Sequence, residues 1–88
     1  MSFNLEFTHQ AQNDIDKHKK SGNKIILKKI FVLFEAIYLN PYDGLGKPEQ
    51  LKHHLSGYWS RRINKEHRII YRILEDKVYI NSAYGHYF

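Results

Sequence analysis

Phe3, Leu5 and Phe7 alternate with Asn4 and Glu6, the period of a half-buried strand, so residues 2–7 are predicted as a first strand. Thr8 is placed to cap a helix over 9–20, in which Ala11, Ile15 and His18 follow helical spacing and Lys17, Lys19 and Lys20 sit at the negative end of the dipole. Ser21-Gly22 stops that helix. A second helix follows, with Ile26, Ile30, Leu33 and Ile37 in one ridge and Leu27, Phe31, Phe34 and Tyr38 in the next. It ends at Asn40-Pro41, because a residue before proline avoids the helical region. Residues 41–53, rich in breakers and polar groups, read as a long loop of the kind that often carries function. Three strands are predicted after it, over 58–63, 67–73 and 78–82, joined by turns at Asn64-Lys65-Glu66 and Glu75-Asp76-Lys77. The order β-α-α-loop-β-β-β implies an α+β fold: a helical hairpin packed on one face of a small, mainly antiparallel sheet.

A length of 88 residues suits one compact domain spanning 1–88, and 42% hydrophobic with 26% charged residues is the composition of a soluble globular protein. There is no cysteine, which removes disulfides, Cys-ligated zinc, iron–sulfur clusters and thiol catalysis together. No apolar run approaches the roughly 18 residues of a membrane span, and the start lacks the basic-then-apolar order of a signal peptide. A cytoplasmic protein that does not meet the membrane is expected. The net charge is +5, and it is uneven. Residues 1–43 hold six basic groups against five acidic, whereas residues 44–88 hold eight against four and all four arginines. A polyanionic partner, nucleic acid first, fits that second half.

Alternation in the middle strand of the meander puts Ile69, Tyr71 and Ile73 on one face and Arg68 and Arg72 on the other, the face the helices leave open. Ser60 and Arg62 share a parity in the preceding strand. Six histidines raise the question of metal, but adjacent His53 and His54 diverge in a strand and no pair has the i, i+4 spacing of a helical zinc site, so no bound metal is expected. Metal-free RNA cleavage needs a base for the ribose 2′-hydroxyl, cations for the charge at phosphorus and an acid for the leaving 5′-oxygen. Glu49, Arg68, Arg62, Lys52 and His86 are of those types. Each also has a plain reading, as a loop carboxylate, surface cations and a tail histidine.

The stretch Gly46-Lys47-Pro48-Glu49-Gln50-Leu51-Lys52-His53-His54-Leu55-Ser56-Gly57-Tyr58-Trp59-Ser60-Arg61-Arg62-Ile63, then Glu66-His67-Arg68-Ile69-Ile70-Tyr71 and the tail His86-Tyr87, resembles the Txe/YoeB toxins of bacterial type II toxin–antitoxin systems. The resemblance implies a RelE-like microbial ribonuclease fold and cleavage of mRNA in the ribosomal A site by 2′-hydroxyl attack. Position by position it implies Glu49 as general base, Arg68 as the phosphate-stabilising group, His86 as general acid and Tyr87 as the aromatic that orients RNA. Lys52 and Arg62 match accessory RNA-binding cations. A cognate antitoxin of the YefM/Axe type, a toxin homodimer and the absence of a cofactor are also implied. The tail departs from the family pattern in ending His86-Tyr87-Phe88 rather than on His-Tyr, with Gly85 before it. A non-catalytic inhibitor on the same scaffold, like the ParE gyrase poisons, is the rival reading, and a basic nucleic-acid-binding module without chemistry is a third.

Overall fold

In a computed structural model, which describes residues 3–85, the opening alternation becomes strand β1 (Asn4–Phe7), and Thr8 turns the chain into helix α1 (His9–Ser21). The Thr8 hydroxyl accepts the Ala11 N–H at 3.0 Å and donates to the Asn81 carbonyl at 2.8 Å, so one side chain caps the helix and ties it to the sheet. At the other end Gly22 adopts a left-handed conformation, its N–H meeting the Lys19 carbonyl, beyond a last turn that carries His18, Lys19 and Lys20. Helix α2 (Lys24–Leu39) is capped by Asn23, whose side chain accepts from the Ile26 N–H.

The remaining strands are β2 (Glu49–Gln50), β3 (Tyr58–Arg62), β4 (Arg68–Leu74) and β5 (Lys77–Ser82), with a single 3₁₀ turn at His53–Leu55. They form one five-stranded sheet in the order β1-β5-β4-β3-β2, antiparallel except for the β1–β5 pair. The core lies between the hairpin and one sheet face: Ile30, Leu33 and Ile37 of α2 pack with Ile69, Tyr71, Val78 and Ile80. The α+β hairpin-on-sheet architecture expected from the pattern is therefore present. No helix among the described residues is long and apolar enough to cross a membrane.

Three expectations are corrected. The second α2 ridge is mostly outside, with Phe31 and Tyr38 exposed and Phe34 alone buried, because a helix on a small sheet buries one stripe rather than two. The 41–53 segment is not all loop: it contains β2, and Pro41 and Leu51 are buried. The open sheet face is not wholly solvated either, since Ser60 and Ile70, partners across β3 and β4, are both buried there.

Candidate functional site

Register places the candidate residues before any side chain is considered. Glu49 of β2 is paired with Ser60 of β3, and Arg62 of β3 with Arg68 of β4. Cross-strand partners share a face, and so do alternate residues of one strand, so Glu49, Ser60, Arg62 and Arg68 all belong to the face opposite the helices. Together with Lys47 and Pro48 they line a cavity of about 340 Å³. Glu49, expected on a loop, thus stands on an edge strand, where two backbone pairs fix its direction.

The approach to β2 is fastened in several places. Gly46 has φ +84°, and a Cβ there would lie 2.8 Å from Leu33 Cδ2 and 3.1 Å from the Arg62 carbonyl oxygen. Its own carbonyl accepts the Arg62 N–H at 2.6 Å, so only a residue without a side chain lets this loop lie flat on β3. Arg61, on the core side of β3, is completely buried. Its guanidinium donates to the carbonyls of Leu45, Asn40 and Asp43 and to the Tyr71 hydroxyl, which in turn donates to the Pro41 carbonyl. A buried cation here is held by carbonyl dipoles, and it gathers residues 40–45 onto the end of the sheet. Burial raises the Tyr71 pKa, the Arg61 hydrogen bond opposing that shift. Lys47 and His53, which bracket β2, both take left-handed backbone conformations uncommon for side-chain-bearing residues, as is frequent at functional sites.

Arg68 is half-buried, and its Nη1 donates to the Asn64 carbonyl at 2.9 Å. The Asn64 side chain accepts the N–H groups of Glu66 and His67 at 2.8 Å each, which rigidifies the turn that holds Arg68. Two guanidinium-bearing residues directly opposite one another repel, and an anion between them and Glu49's neighbourhood relieves that repulsion. The site can therefore accept a proton at a carboxylate and hold a phosphate on cations.

Of the other sequence-derived candidates, Lys52 lies off this cavity and lines an adjacent one of about 460 Å³ formed by residues 49–55, which Glu49 shares. His86 and Tyr87 lie outside the described residues. The chain is described up to Gly85, whose carbonyl accepts the Arg68 N–H at 2.9 Å. Among the described residues there is no group of three or more His, Asp or Glu able to hold a metal. Parity put Ser60 on the face of Arg62, but sequence reasoning missed Lys47 as a lining residue and Arg61 as a buried anchor; the parity that sends Arg62 outward sends Arg61 inward, so that signal was present.

A family model described as the YoeB-like toxin of bacterial type II toxin–antitoxin systems matches residues 7–87. A curated relative from Synechocystis sp., a YoeB toxin, is 52% identical over 83 residues, which is 94% of this chain and 95% of its own length. Two solved structures from Staphylococcus aureus superpose closely. A YoeB–YefM complex has a TM-score of 0.81 at 42% identity, and a YoeB dimer 0.82 at 41%, each over 99% of this chain and all of the other. With a family match across nearly its whole length and a relative more than half identical to it, this chain belongs to the YoeB-like toxins of bacterial type II toxin–antitoxin systems.

Proposed function

We propose that this toxin is a ribosome-dependent mRNA endonuclease, acting as a single domain on codons in the A site. The observation that carries the reading is the convergence of Glu49, Arg62 and Arg68, from three different strands, on one cavity of the open sheet face. In the reaction, the Glu49 carboxylate takes the proton of the ribose 2′-hydroxyl and the 2′-oxygen attacks phosphorus. Arg68, with Arg62, meets the charge that grows on the phosphoryl oxygens. The bond to the 5′-oxygen breaks as His86 supplies a proton, leaving a 2′,3′-cyclic phosphate, or its 3′-phosphate hydrolysis product, and a 5′-hydroxyl. Tyr87 orients the RNA and Lys52 contacts it from the neighbouring cavity. No step uses a metal or cofactor.

By likeness to the Staphylococcus aureus complex and dimer, the partners are a YefM/Axe-type antitoxin and a second toxin copy, with the ribosome and its message as the target in the cytoplasm. Mapping mRNA 5′ ends in a purified translation reaction tests the reading. New ends inside A-site codons are expected. Intact message together with inhibited gyrase overturns it in favour of a ParE-like inhibitor, and salt-dependent RNA binding without cleavage in favour of a binding module.

A further inference from the structure

Helix α1 covers the sheet with a thin apolar stripe, yet two of its buried side chains are ionisable: Asp14 is 1% exposed and His18 2%. Four residues apart on one face, they take the two backbone groups of a single residue beyond β5. Asp14 Oδ2 accepts the Ala83 N–H at 2.9 Å, while its Oδ1 accepts from the Gln10 amide at 2.8 Å. His18 Nε2 lies 2.8 Å from the Ala83 carbonyl oxygen, and since a carbonyl only accepts, Nε2 carries the hydrogen. Two residues on, the Gly85 N–H donates to His67 Nδ1 at 2.8 Å, so that nitrogen is unprotonated. The Gly85 carbonyl accepts from the backbone of Arg68, the proposed phosphate ligand. Between these anchors Tyr84 lies against both imidazoles, at 5.0 Å from His18 and 4.5 Å from His67, with the Lys17 ammonium 4.9 Å above its ring.

Core packing does not account for this. Burying a carboxylate and an imidazole is costly unless their hydrogen bonds matter to the fold or the site, and an apolar helix face covers a strand just as well. What the buried groups do is fix the direction of the chain at residues 83–85, immediately before His86 and Tyr87 and beside Arg68. We propose that Asp14, His18 and His67 are positioning residues: a clamp between α1 and the turn before β4 that fixes the chain at residues 83–85 beside Arg68, the base from which the tail departs. The inference rests on the proposed endonuclease activity, in which the tail supplies the acid. Misplacing such a group by about 1 Å lowers a rate on the order of 10²-fold.

The test is single-turnover cleavage of ribosome-bound message by the full chain, with ribosome affinity and thermal unfolding measured alongside. His67→Phe removes the acceptor for Gly85, whereas His67→Asn keeps an oxygen near the position of Nδ1. His18→Leu removes the donor to Ala83, whereas His18→Gln keeps an N–H at a similar reach. The Phe and Leu variants are expected to cleave on the order of 10- to 10²-fold more slowly while binding the ribosome as tightly as wild type, and the Asn and Gln variants to recover most of that loss. Should the buried His18→Leu protein fail to fold, the partly exposed His67 pair decides. Wild-type rates for His67→Phe, or equal losses in His67→Phe and His67→Asn, overturn the clamp. If cleavage persists in wild type and drops in Arg68→Ala while His67→Phe is undiminished, the clamp alone is wrong; a wild-type protein that leaves message intact overturns the function and the clamp together.

Discussion

Arg61 and Arg62 are neighbours with opposite surroundings, and substitution should separate them. Arg61→Leu takes the donor from three carbonyls and from the Tyr71 hydroxyl and leaves residues 40–45 unfastened, and is expected to lower stability by roughly 3 kcal/mol. Arg62→Ala removes an exposed cation that faces another, and should stay within about 0.5 kcal/mol of wild type. Urea denaturation of the two proteins checks the contrast. In activity the order reverses among the outward-facing groups. Arg68→Ala is expected to slow cleavage about 10²–10³-fold with little loss of ribosome binding, because the guanidinium acts on charge that appears only in the transition state. Glu49→Gln, nearly isosteric but unable to take the proton, should lose roughly 10²–10⁴ in rate by the same single-turnover measurement. Tyr71 adds a pH dependence. Burial raises its pKa, so the folded state holds this proton more tightly than the unfolded one. Its contribution to stability is complete below the ordinary tyrosine range, near pH 10, and is lost as pH rises through and above it. Denaturation free energies between about pH 9 and 11 should fall more steeply in wild type than in Tyr71→Phe.

Among the elements, the junction at Thr8 couples most with least. Thr8→Ala deletes both the cap on α1 and the hydroxyl's bond to the Asn81 carbonyl, and is expected to cost about 1–2 kcal/mol, with Thr8→Ser close to neutral; a shift of the urea midpoint at constant slope is the check. The helices and the β3–β5 meander were legible in the chain because each has a single strong period and capping or turn residues at its ends. β2 was not, since two residues show no period, and Glu49 and Gln50 are strand only because Ser60 and Trp59 stand opposite. The candidate face was half legible: alternation separated Arg68 from Ile69, but nothing local announces that Glu49 would share a cavity with Arg62 and Arg68, which is a property of strand order. The same limit hid what Asp14 and His18 bind. Their i, i+4 spacing is visible, but their partner, the Ala83 backbone, lies 69 and 65 residues away.

At the scale of the whole molecule, a body of 34 × 30 × 24 Å has an open, basic face with few positioning groups, so on the proposed function free RNA should be a poor substrate beside ribosome-held message. Equal single-turnover rates on the two would contradict that. The sheet's one parallel pair bears on when such a molecule becomes dangerous. Asn4 is registered with Lys77, so β1 has no strand to join until a further 73 residues (77 − 4) have been polymerised. At about 5–20 residues per second that is roughly 4–15 s of translation. β3 and β4 are made only in the last part of that interval, and β5, with Ala83 and Gly85, which α1 and His67 grip, is made later still. On the proposed function, assembly of the site is thereby postponed to the end of translation, and the ribosome that makes the toxin is spared a competent copy while most of the message is still being read.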